Sequence, residues 1–252
     1  MYSILRELLK DHKEQIIFKC FGITHLIFLA IICGGIVAIL CILKNKDEKF
    51  KKRIINLTIT SAFCLYILDF FLMPFAYGEI DIEKLPFHIC TISCVLCFLS
   101  RHNKFLYQYK LSFALIGLIG NLIYTIYPAG VGWYQVSVFS YRVIQTLLYH
   151  SIMVLYGILT ITYDDEKIKW KNCYKELIII VIITLWALLG NYLYNNELRM
   201  FNWFFVVQDP FGFLPLSVSR FVMPFLIIII TFLVDILIYL GYFGIKKIFK
   251  KS

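Results

Sequence analysis

Apolar residues along this chain gather into long runs separated by short charged connections. That is the pattern of membrane-spanning helices rather than of a soluble domain. A span takes roughly 20 apolar residues at 1.5 Å of rise each. Seven runs reach or approach that length, at about Phe21–Leu43, Ile54–Tyr77, Pro86–Leu99, Leu111–Tyr127, Ser140–Tyr163, Leu177–Tyr194 and Leu214–Gly244. The expected fold is therefore all-α, a polytopic bundle of about seven transmembrane helices spanning residues 21–252. The third run is short, and Leu85-Pro86 suits a helix start, because proline at the first helical position loses no helical hydrogen bond. Such a helix begins below the membrane surface, where irregular backbone is tolerated only inside protein or beside water.

Lysine and arginine set the expected orientation. The Leu43–Ile54 connection carries Lys44, Lys46, Lys49, Lys51, Lys52 and Arg53. Alternate connections repeat the bias with Arg101, Lys104 and Lys110, then Lys167, Lys169, Lys171 and Lys175, then Lys246, Lys247, Lys250 and Lys251. The opposite side has little beyond Lys84, Arg142 and Arg199. The N-terminus is therefore expected outside and the C-terminus in the cytoplasm. Arg6, Lys10, Lys13 and Lys19 run against this bias, and residues 1–20 are expected to form an amphipathic segment lying on the membrane surface.

Composition agrees with the pattern. Hydrophobic residues make up 60% of the chain and mean hydropathy is +0.78, well above a soluble domain at about 45–50% apolar. The net charge of +9 belongs to cytoplasmic connections, and no soluble segment is long enough to form a nucleic-acid-binding face. The eight cysteines fall mostly inside apolar runs, so they are no secreted disulfide framework. The start of the chain does not read as a cleavable signal, because the first apolar run ends at Cys41-Ile42-Leu43 without a small-residue cleavage site. Phosphate-loop, dinucleotide and zinc-protease motifs are absent from the sequence. Expected partners are membrane lipids, with no cofactor, no metal and no nucleic acid, and the expected place is the cell membrane.

Polar side chains inside a bilayer are costly and mark function or packing. Counted from the charged cytoplasmic end of each run, Cys90 lies roughly 16 Å deep and His88 roughly 20 Å. On the same count Asn121 lies at roughly 16 Å, His150 at roughly 21 Å, Asn191 and Asp69 at roughly 24 Å, and Asp235 at roughly 16 Å. A polar cavity shared by five or six helices and opening outward is the expectation. His88 and Cys90 sit in the first turn of the short helix, where amides lack helical partners and the dipole favours a thiolate. Cys90, Cys94 and Cys97 share one helical face, but this spacing on an apolar helix is a weak metal signal. Gly120-Asn121 and Gly190-Asn191 are equally the small-polar pairs of helix packing, and Asp69 and Asp235 equally suit pairing with neighbours.

Five stretches now stand together: Leu85-Pro86-Phe87-His88-Ile89-Cys90, Gly120-Asn121, Tyr127-Pro128, Tyr149-His150-Ser151 and Gly190-Asn191-Tyr192. They resemble the YwaF-like family of bacterial integral membrane proteins, itself similar to eukaryotic transmembrane acyltransferases that remodel phospholipids. The resemblance implies acyl transfer or hydrolysis on a lipid through a Cys–His pair, with Cys90 and His150 at the matching positions. His88, Asn121 and Asn191 are the supporting candidates. The chemistry suits the residues, since a thiolate can take an acyl group as a thioester while histidine serves as base. The alternative is a transporter or binding protein, because short or proline-broken helices at the midplane also mark transporter sites. A retinal protein is excluded, because the last run holds no lysine for a Schiff base.

Overall fold

The computed structural model describes residue 9 and residues 16–78, 80–132, 135–197 and 199–249. Most of the expected amphipathic segment 1–20 lies outside them. All seven expected helices are present as α1 (Ile23–Lys44), α2 (Glu48–Tyr77), α3 (Ile89–His102), α5 (Lys110–Ile126), α7 (Tyr141–Tyr163), α8 (Cys173–Tyr194) and α9 (Leu216–Phe249). Single turns α4 (Lys104–Tyr107) and α6 (Ala129–Gly132) accompany them. Among the described residues, five helices are long and apolar enough to cross a membrane, while α3 and α5 are shorter. At 14 residues, α3 extends only about 21 Å.

Several boundaries differ from the sequence expectation, each for a local reason. Helix α2 starts at Glu48 instead of Ile54, because Asp47 caps it by accepting from the Phe50 amide at 2.6 Å. Helix α3 starts at Ile89 instead of Pro86, since the Pro86 carbonyl accepts from Trp186 Nε1 at 2.8 Å and residues 85–88 form a turn. Helix α9 starts just after Pro215, whose carbonyl accepts from the amides of Val218 and Ser219. At the other end of α2, Gly78 takes the left-handed conformation at φ 81° and returns its amide to Pro74.

The chain divides into two compact units. The first combines the chain up to Lys84 with Gly120–Asp165. Helices α2 and α7 form its centre. Helix α1 buries only His25 and Leu43. A helix that is apolar all round and exposed in water would be unstable, so its surface is one for lipid. Asp69 on α2 pairs with Lys84 at 2.8 Å, and Tyr66 donates to the Lys84 carbonyl at 2.9 Å. Phe18 closes a small core with Val131, Val136, Val143 and Leu147. Its amide donates to the Val136 carbonyl at 2.8 Å.

The second unit combines Leu85–Ile119 with the chain from Glu166 onward. Helices α8 and α9 pack along each other, and the turn Trp203–Phe205 lies against both. Asn191 secures that turn. Its Oδ1 accepts from the Trp203 amide at 3.1 Å, while Nδ2 donates to the carbonyls of Trp203 and Ala187. Phe87 lies over Gly190, where any Cβ would overlap the ring. Trp186 stacks on Phe87 at 5.2 Å, and the Trp203 ring meets Phe87 at a tilt at 4.9 Å.

Candidate functional site

In the first unit, the α7 side chain of His150 is buried and meets Asn121 of α5, with Nδ1 2.7 Å from Oδ1. An amide oxygen has no proton to give, so Nδ1 carries the hydrogen and the basic lone pair is on Nε2. Tyr124, one turn beyond Asn121, stacks on the imidazole at 4.1 Å with 21° between planes. Tyr149 meets the ring edge-on at 5.1 Å. The imidazole is thus fixed in tautomer by a hydrogen bond and in plane by two aromatic rings.

Asn121 has its own support. Thr125 donates from its hydroxyl to the Asn121 carbonyl at 2.8 Å. The Thr125 carbonyl accepts from His25 Nε2 at 3.1 Å, and His25 Nδ1 accepts from the Phe21 amide at 3.1 Å. His25 is fully buried. The sequence reading missed it. Its one signal was an ionisable residue near the start of an apolar run.

In the second unit, His88 is the N-cap residue of α3, and Cys90, half buried, lies in the first turn. His88 Nδ1 accepts from the Phe204 amide at 3.3 Å. Phe204 and Phe205 both have left-handed backbone, at φ 56° and 55°. Bulky residues seldom adopt that region, and such strain persists only where surrounding contacts enforce it. Here Asn191 accepts from the Trp203 amide and His88 from the next amide, that of Phe204. Cys94 and Cys97 are fully buried, as packing thiols are. Among the described residues, no cluster of three or more His, Cys, Asp or Glu has the geometry of a metal site.

Beyond the strained turn, Asp209 organises the approach to α9. Its carboxylate accepts from the amides of Phe211 (2.8 Å), Phe213 (2.7 Å) and Leu214 (3.0 Å). The Phe211 amide and its companions hold the carboxyl below its ordinary pKa. The bend leaves Phe211 and Phe213 exposed and stacked on each other.

Asn121 and His150 thus belong to the first unit, and His88, Cys90 and Asn191 to the second. A model of the TMEM164 family matches residues 20–242. The chain belongs to the TMEM164 family. Neither a curated protein nor a solved structure matches it. The part that matches the TMEM164 family takes in every helix that carries a candidate residue, and it makes the chain a multi-pass membrane protein.

Proposed function

We propose that this TMEM164-family protein transfers or hydrolyses acyl groups on membrane lipids, with Cys90 as nucleophile and His150 as base. The observation that carries the reading is the His150–Asn121 contact of 2.7 Å. A buried histidine whose Nδ1 proton is held by an amide has its basic nitrogen assigned, as a general base requires. Cys90 adds support by its place in the first turn of the short helix α3, at the cysteine position of the resembling family. The likeness to YwaF-like proteins and to phospholipid acyltransferases points the same way.

In this reading His150 Nε2 takes the Cys90 proton as sulfur attacks the ester carbonyl carbon of a phospholipid. The tetrahedral intermediate collapses, the carbon–oxygen bond breaks, and the lysolipid oxygen leaves with the proton from His150. The acyl group remains on sulfur as a thioester. A second hydroxyl, from an acceptor lipid or water, then gives its proton to His150 and attacks the thioester; the carbon–sulfur bond breaks, and His150 returns the proton to the Cys90 sulfur. In the bilayer, the proposed topology has seven spans, an outside N-terminus and a cytoplasmic C-terminus, with α3 and α5 as the short members.

The test uses purified protein in nanodiscs with a defined phospholipid, and lysolipid and acyl products are read by mass spectrometry. Wild type is expected to turn over lipid and to carry a hydroxylamine-sensitive acyl group on Cys90. Both signals are expected to vanish in Cys90→Ala and His150→Ala. Turnover that survives Cys90→Ala excludes this chemistry. Transport or binding is the second reading, favoured by α3 being a short apolar helix. It predicts lipid or solute binding that Cys90→Ala leaves intact.

A further inference from the structure

A second group of ionisable side chains stands apart from the acyl-transfer residues, within the second unit. Glu176 lies in the first turn of α8, and Asp235 and Tyr239 lie one turn apart on α9. Glu176 and Asp235 are 1% and 0% exposed. Ser112 of α5 donates to Glu176 Oε1, and the Tyr239 hydroxyl donates to Oε2 at 3.1 Å. Two donors on two oxygens is the arrangement of a carboxylate anion. Asp235 sits one turn before Tyr239 on the same face of α9, and the Tyr239 hydroxyl reaches Glu176. Both Asp235 oxygens are buried, and neither has a hydrogen-bond partner among the described residues.

Buried polar groups are almost always satisfied, and an exception calls for an unseen water or ion. Protonating Asp235 does not remove the difficulty, because a neutral carboxyl still presents one donor and one acceptor. The nearest lysine in sequence, Lys175, directs Nζ to the Gln108 carbonyl at 3.5 Å and over the Tyr109 ring at 5.7 Å. Neither Glu176 nor Asp235 forms an ion pair among the described residues. Other neighbours of the group are Cys173, which acts electrostatically on Tyr239, and Trp170, whose ring covers Tyr239 at 5.2 Å.

We propose that Glu176 and Asp235 bind one divalent hard cation between α8 and α9. Glu176, Asp235, Ser112 and Tyr239 all offer oxygen, and oxygen ligands suit calcium and magnesium. Two carboxylates balance two positive charges. The set has no imidazole or thiolate ligand and offers only two acids, so water and carbonyl oxygens complete the shell, as calcium tolerates. Ser112 and Tyr239 act as outer partners that orient Glu176. A bound ion ties the first turn of α8 to the interior of α9, and this assignment is independent of the Cys90–His150 chemistry.

The experiment takes the full chain, purified in detergent after chelation, and follows its melting at fixed pH and ionic strength. CaCl2, MgCl2, NaCl and choline chloride are compared, with radiolabelled calcium binding to wild type as a direct second measurement. A saturable rise in Tm with calcium or magnesium is expected, together with one bound ion per chain. The apparent affinity should fall by at least about ten-fold in Glu176→Gln and Asp235→Asn, and stay unchanged in Asp209→Asn. Equal melting in all four salts with no bound calcium overturns the proposal. So does a response to sodium alone, or calcium binding retained in Asp235→Asn. Should Asp235→Asn not fold, Ser112→Ala and Tyr239→Phe take its place, with weakened calcium binding expected and unchanged binding overturning the assignment.

Discussion

Asn121 Oδ1 and His150 Nδ1 face each other at 2.7 Å in the interior of the first unit. Replacing the amide by a methyl leaves a buried N–H without its partner, at a cost of about 1–3 kcal/mol. Asn121→Ala is therefore expected to lower Tm. It should also lower kcat of lipid turnover by about ten- to hundred-fold through loss of the fixed tautomer. Asn121→Asp replaces the amide by a carboxylate and stabilises an imidazolium. Its pH–rate profile should move to higher pH on the acid limb. Identical profiles for wild type and Asn121→Asp would show that the contact only packs the helices.

Gly190 admits Phe87 because it has no Cβ. Gly190→Ala forces the ring out of its place between Trp186 and Trp203, and overpacking of this kind costs about 1–3 kcal/mol. The expected result is a lower Tm and a changed tryptophan fluorescence. Phe87→Leu should recover part of the loss in the double variant, because the smaller side chain makes room. A double variant no better than the sum of the two single changes excludes the ring overlap as the cause.

The helices were legible in the sequence because an apolar run long enough to span has few other uses. Their ends were less so. The start of α2 lies six residues before the apolar run because Asp47, a cap, outweighs the polarity of Lys49, Lys51 and Lys52. Depth counting singled out Asn121, His150, His88, Cys90 and Asn191, yet it has no information on helix rotation. Asn191 was read as a cavity candidate, and its side chain clasps the Trp203 backbone instead of pointing to a neighbour's side chain. Glu176 escaped notice because it follows Lys175 at the edge of a charged connection, where a carboxylate normally faces water. Only the packing of α8 on α9 makes it buried.

Asp209 links the exposed Phe211–Phe213 bend to pH. Its folded-state pKa is depressed, chiefly by the Phe211 amide. A group of this kind adds stability above its unfolded pKa, about 3.9, and loses it as pH falls through the lower folded value. At neutral pH wild type should therefore melt above Asp209→Asn. The difference should shrink as pH drops below about 4. A gap that stays constant from pH 7 to pH 3 would mean that the amide bonds, and not the charge, carry the effect.

His25 stands behind the catalytic candidate through three successive contacts in the first unit: His25 to the Thr125 carbonyl, Thr125 to the Asn121 carbonyl, and Asn121 to His150. The imidazole uses both nitrogens, accepting from the Phe21 amide and donating to Thr125. Phe21 itself is held at φ 59°, a strained conformation that this acceptor helps to retain. His25→Ala removes both contacts from a fully buried position and should cost about 1–3 kcal/mol. Glutamine has one acceptor and one donor at a comparable reach, so His25→Gln should restore most of the Tm, whereas His25→Leu fills space and restores little. The support acts through Asn121, so His25→Ala should lower kcat while leaving KM near wild type, and His25→Gln should return kcat together with stability. Were His25→Leu as stable and as active as His25→Gln, the hydrogen bonds would be dispensable and His25 would serve only to fill its pocket.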